Sequence, residues 1–120
     1  MPGSLTTHVL DTARGQPAAG VAIELWRIDP ATDGRTLLAT ARTNADGRTE
    51  APLLAADALT PGVYELVFAL GAYFAARDEP SADPPFLDRV PIRFGIADST
   101  AHYHVPLLAS PWAYSTYRGS

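Results

Sequence analysis

Neither cysteine nor lysine occurs among the 120 residues. The first absence removes disulfides, zinc–thiolate centres and a thiol nucleophile, and agrees with a reducing compartment. The second makes all nine cationic side chains arginines. With a formal net charge of −4 and no basic run, the chain lacks the clustered cations that phosphate contacts need, so nucleic acid is not an expected partner. No apolar stretch approaches the ~20 residues of a helical membrane span. The opening "MPGSLTTHVLD" has neither the charged nor the apolar region of a secretory signal, and the closing "RGS" is not an S-K-L address. These absences set the expectation of a soluble, cytoplasmic protein with no membrane partner.

What the sequence does contain has a period of two. "VAIELWRI" puts Val21, Ile23 and Leu25 on one face; "RVPIRFGI" alternates in the same way, and "GVYELVFAL" has period two with both faces fairly apolar. Clusters of Gly, Pro, Asn and Asp punctuate these runs at 11–20, 29–35, 44–48 and 59–64. The pattern predicts strands near 5–11, 21–28, 36–43, 48–53, 62–70, 88–96, 101–109 and 113–118. Short strands with such turns point to an all-β antiparallel sandwich or barrel. One stretch differs: "GAYFAARDE" at 71–79 is rich in alanine and predicts a single short helix. With no repeat and no composition shift, one domain over 1–120 is expected.

The chain has three histidines, all in predicted strands. His102 and His104 are two apart and therefore share a face; His8 shares a face with Thr6 and Leu10. On the last strand Ser115 and Tyr117 share one face, and Arg118 points the other way. The ordinary reading of each is modest: a strand histidine is usually hydrogen-bonded or solvated, and Arg48 follows a turn. His8 with the H-x-H pair also permits a three-histidine zinc site. Periodicity leaves these readings open.

Taken together, "THVLDTARGQPAAGV", "TNADGR", "VPIRFGI" and "HYHVPLLASPWAYSTYRGS" resemble the transthyretin-like 5-hydroxyisourate hydrolases, in the family's order, from about Leu5 to Ser120. The terminal "YRGS" is the most specific part. The resemblance implies a transthyretin-like sandwich of two four-stranded antiparallel sheets with one short helix. It also implies a homotetramer, a dimer of dimers with active sites where the dimers meet. It implies cofactor-free, metal-free opening of the six-membered ring of 5-hydroxyisourate by water. His8 and His104 are then expected to activate water and move protons, without a choice of which is the base. Arg48 is expected to hold and polarise the substrate, Tyr117 to orient it, and Ser120 to close the site. Ser115 and His102 are expected just outside the reacting groups, and Arg118 in a structural role. A metal hydrolase and a non-catalytic carrier of small ligands, the transthyretin role on the same fold, are the alternatives.

Overall fold

The computed structural model describes residues 2–77 and 82–119. In chain order its strands are β1 (Ser4–Thr6), β2 (Val9–Asp11), β3 (Gln16–Pro17), β4 (Ala22–Ile28), β5 (Arg35–Arg42) and β6 (Leu54–Ala55). There follow β7 (Gly62–Ala69), helix α1 (Leu70–Ala75), β8 (Arg89–Ile96), β9 (His102–His104), β10 (Leu107–Ala109) and β11 (Tyr114–Thr116). One layer is the antiparallel sheet β5-β4-β7-β8. The facing layer consists of two ladders, β6-β1-β9 and β11-β10-β2-β3. Ile23, Leu25, Tyr64, Leu66 and Phe68 from the first layer pack against Leu5, Val9, Tyr103 and Leu107 from the second, all buried. Burial on this scale supplies the driving force for closing the sandwich. Among the described residues no helix is long and apolar enough to cross a membrane.

The second layer departs from expectation in three ways that matter for the site. First, its central pairing is parallel: Ser4, Leu5 and Thr6 lie opposite His102, Tyr103 and His104, and Val9 lies opposite Leu107. These segments come from opposite ends of the chain, so no hairpin forces them antiparallel, and the intervening fold acts as the crossover. Second, the predicted strands 5–11 and 101–109 each break in the middle. Pro106 has no N–H to give the ladder. Flanking bonds from Val105 N to Thr6 O and Leu107 N to His8 O, both 2.9 Å, hold the pair across the break. The inward Thr7 hydroxyl also donates to Val105 O at 2.7 Å. Third, residues 48–53 form no strand. Pro52 interrupts that run, Leu53 N bonds Leu5 O, and regular pairing begins only at β6. The predicted helix over 71–79 is realised as Leu70–Ala75, and residues 78 and 79 of that stretch lie outside the described residues.

Side-chain alternation survives the breaks. Leu5, Thr7, Val9, Tyr103, Val105 and Leu107 point into the core, whereas Thr6, His8, His102 and His104 lie on the outer face. The parallel register therefore gathers the histidines of both chain ends on one surface.

Candidate active site

The "NADGR" turn is brought to this surface by its backbone. Asn44 Oδ1 accepts from Asp46 N at 2.9 Å and from Arg48 N at 3.2 Å, and Asn44 N donates to Arg48 O at 2.7 Å. An asparagine that holds its own turn in this way is the reason the motif begins with Asn. Gly47 then docks the turn: Val9 N donates to Gly47 O at 2.8 Å. Gly47 has φ +76°, and a Cβ there would stand 2.4 Å from Val9 O. Only glycine accepts both the left-handed conformation and so close a backbone approach.

Docking the turn fixes His8. Its Nε2 lies 2.8 Å from the Asp46 carbonyl oxygen. A carbonyl can only accept, so this nitrogen carries the proton and neutral His8 presents a lone pair at Nδ1. The same turn sets Arg48 at the wall of a groove of about 470 Å³, which Thr6, Glu50, His102 and His104 also line. His8 does not line the groove, yet it is near enough for its charge to oppose a charge on His104.

Arg48 stands apart from the other eight arginines. Each of those donates to a carboxylate, a hydroxyl or a carbonyl within the chain. Among the described residues the Arg48 guanidinium has no hydrogen bond, ion pair or ring contact. A planar five-donor fork left unsatisfied beside imidazoles is suited to an anionic or carbonyl-rich ligand.

His104 is half-buried, and its Nδ1 lies 2.8 Å from Thr6 Oγ1. Its Nε2 has no protein partner among the described residues. Burial, then Arg48, His102 and His8, push its pKa below the ordinary value of 6.5. A histidine so placed is a free base at neutral pH. His102 stacks beside it with ring centroids 6.2 Å apart, and its Nδ1 and Nε2 contact Ser4 Oγ at 2.6 Å and Thr6 Oγ1 at 3.2 Å. Among the described residues the three histidines do not assemble with other His, Asp or Glu side chains as a metal-ligand group.

The other expected residues are placed differently. Ser115 pairs with Leu108 in the β10–β11 ladder and is exposed, away from the groove. Tyr117, 60% exposed, lines a separate groove of about 220 Å³ with Phe94, Tyr103 and Val105. Ser120 lies outside the described residues. Its neighbour Gly119 bridges to His104, donating N–H to His104 O at 2.7 Å, so Gly119 runs beside the histidine. Arg118 lies over the Tyr103 ring at 4.2 Å. Sequence reasoning did not single out Thr6 or Ser4. The only signal was parity, which put Thr6 on the face of His8; its place opposite His104 depends on a parallel register that no local pattern encodes.

A conserved-family profile, the HIUase/Transthyretin family, matches residues 5–119. The chain belongs to the HIUase/Transthyretin family. It is 58% identical over 118 residues to a 5-hydroxyisourate hydrolase of Ralstonia nicotianae, covering 98% of this chain and 99% of the relative. Among solved structures it resembles Klebsiella pneumoniae 5-hydroxyisourate hydrolase at 39% identity with a TM-score of 0.79, covering 98% and 99% of the two chains. It also resembles sea bream transthyretin in complex with thyroxine at 29% identity with a TM-score of 0.85, covering 97% and 94%. The backbone thus fits a 5-hydroxyisourate hydrolase and a thyroxine-bound transthyretin about equally well. The decision between them falls to sequence identity and to the side chains on the outer face.

Proposed function

We propose that this chain is a 5-hydroxyisourate hydrolase that adds water across an amide-type C–N bond of the six-membered ring. The product is 2-oxo-4-hydroxy-4-carboxy-5-ureidoimidazoline. The near-full-length identity to a hydrolase of that name supports the substrate. The observation that carries the chemistry is the Arg48 guanidinium, without a partner among the described residues, in one groove with a His104 biased to its neutral form.

In this reading His104 Nε2 takes a proton from water as the oxygen bonds to the carbonyl carbon. Arg48 donates to the carbonyl oxygen as negative charge develops there. When the C–N bond breaks, the proton on Nε2 passes to the leaving nitrogen, and the former carbonyl carbon is left as a carboxylic acid that releases its proton to solvent and becomes the carboxylate. His8, with Nε2–H held by Asp46, offers Nδ1 to the water or substrate and helps move protons. Tyr117 orients the ring and Ser120 closes the site, with Ser115 and His102 alongside. We place these groups at the meeting of protomers in a homotetramer; the transthyretin-like neighbours and the exposed Tyr117 support that arrangement. No cofactor or metal takes part in the scheme.

The test generates 5-hydroxyisourate in situ with urate oxidase and follows its optical signal with and without the protein. The expected result is disappearance faster than spontaneous decay, unchanged by EDTA. His8→Ala, Arg48→Ala and His104→Ala should each stay folded and lose roughly 10²-fold or more in rate. Stoichiometric binding without acceleration would point to a carrier, loss of activity on chelation to a metal hydrolase. Turnover like the parent's in any one variant would remove that residue from the scheme.

A further inference from the structure

The groove's histidines are joined by a chain of side-chain contacts that the hydrolytic scheme does not use. Ser4 Oγ meets His102 Nδ1 at 2.6 Å, His102 Nε2 meets Thr6 Oγ1 at 3.2 Å, and Thr6 Oγ1 meets His104 Nδ1 at 2.8 Å. The parallel register sets Ser4 opposite His102 and Thr6 opposite His104. The two rings lie 12° from parallel. Among the described residues Thr6 is thus the one that hydrogen-bonds to both imidazoles, and its hydroxyl has a single proton to share between them.

We propose that Thr6 is a positioning residue for His104, and that His102 acts on the reaction through Thr6. The Thr6 oxygen accepts from His104 Nδ1–H, the Thr6 hydroxyl donates to His102 Nε2, and His102 Nδ1–H is donated to Ser4 Oγ. This direction leaves His104 Nε2 without a proton and, among the described residues, without a protein partner, as a base requires. It also needs no rearrangement during the reaction. When Nε2 gains a proton the ring becomes a cation with both nitrogens protonated, and Nδ1–H already points at an acceptor. In the opposite direction Thr6 would donate to Nδ1, Nε2 would carry the proton at rest, and the base would be blocked. The inference rests on the reading of His104 as the base, and it assigns a purpose to the first histidine of "HYH" and to a threonine that otherwise counts as a strand former.

The experiment labels histidine with 15N in the full chain and reads the tautomer of His104 by NMR, beside the kinetics of the coupled urate oxidase assay. In the parent protein Nε2 of His104 should be unprotonated and Nδ1 protonated. Thr6→Val keeps the shape and removes the hydroxyl; it should turn the His104 signals toward a mixture of tautomers. It should also lower kcat by about 10–100-fold, by analogy with the range seen when hydrogen-bond partners of metal-bound imidazoles are removed, with KM within about threefold. Thr6→Ser should restore both readouts. His102→Phe should lower kcat in the parent but add nothing to Thr6→Val, since it acts through the missing hydroxyl. A parent protein with His104 protonated at Nε2, or a Thr6→Val protein with the parent's tautomer or kcat, overturns the proposal. So does an equal loss from His102→Phe in both backgrounds. Failure of the base itself is separate: His104→Gln with the parent's rate would refute the hydrolytic scheme while the tautomer measurement still reported on Thr6.

Discussion

Three histidines share one surface here, yet their partners give them different chemistry. His8 is tied through Nε2–H to a backbone carbonyl, His102 has a hydroxyl at each nitrogen, and His104 keeps Nε2 free of protein partners among the described residues. The pKa of His104 is displaced downward from 6.5, through burial and then through Arg48. The sign of the kinetic consequence follows. A base works when unprotonated, so a lowered pKa keeps it active at more acidic pH. The acid limb of kcat/KM should lie below 6.5 in the parent protein. Arg48→Gln removes the neighbouring cation; its limb should move upward while the plateau drops. A parent limb above 6.5, or a limb unmoved by Arg48→Gln, would separate His104 from the observed protonation. The measurement is a pH–rate profile of the free enzyme, where kcat/KM reports the unliganded groups.

At the scale of elements, the site depends on a turn more than on a strand. The 44–48 turn holds His8 through Asp46 O and is itself held to Val9 through Gly47 O. Gly47→Ala meets both a positive φ and the Val9 carbonyl. We expect a loss of about 1–3 kcal/mol in stability together with a fall in kcat/KM as Arg48 and His8 are displaced. Gly20→Ala is the contrast: φ is +82° but a Cβ there meets nothing within 4 Å. It should carry a smaller stability loss and leave kcat/KM unchanged. Urea unfolding and the coupled assay distinguish the two, and equal behaviour of both variants would show that docking of the turn does not matter. The same elements mark how far the sequence could be read. Strands β4 and β8 were legible because each alternates over seven or eight residues, and β5 and β7 because turn-forming clusters bound them; β4 closes on β5 by the short turn between Ile28 and Arg35. The break at Thr7 follows from contact with the distant Val105 carbonyl, whereas those at Pro106 and in 48–53 fall at prolines that strand patterning alone passed over. The placing of Thr6 opposite His104 again depends on distant segments. The pairing of His102 with His104 on one face was legible, because it needs only alternation; the hydroxyl between them was not.

At the scale of the whole molecule, the backbone by itself does not separate a 5-hydroxyisourate hydrolase from a thyroxine-bound transthyretin. A thyroxine-bound transthyretin matches it with a TM-score of 0.85 and a hydrolase with 0.79. The choice lies in the side chains on the outer face of the β1/β9 ladder, and in whether a second protomer completes their groove. Within one chain Tyr117 faces a groove different from that of His104, although the proposed scheme gives both to one substrate. A tetramer resolves this if Tyr117 of one protomer serves the histidine groove of another. Light scattering should then give four times the 12.8 kDa chain mass, and mixing two crippled variants should restore activity. His104→Ala supplies an intact Tyr117, and Tyr117→Ala supplies an intact His104. After joint unfolding and refolding, some sites in the mixed tetramers combine the intact residue of each. Neither variant refolded alone can form such a site. If the mixture turns over no faster than the sum of its parts, both residues serve the same chain's groove or Tyr117 serves none, and the shared-site arrangement is wrong.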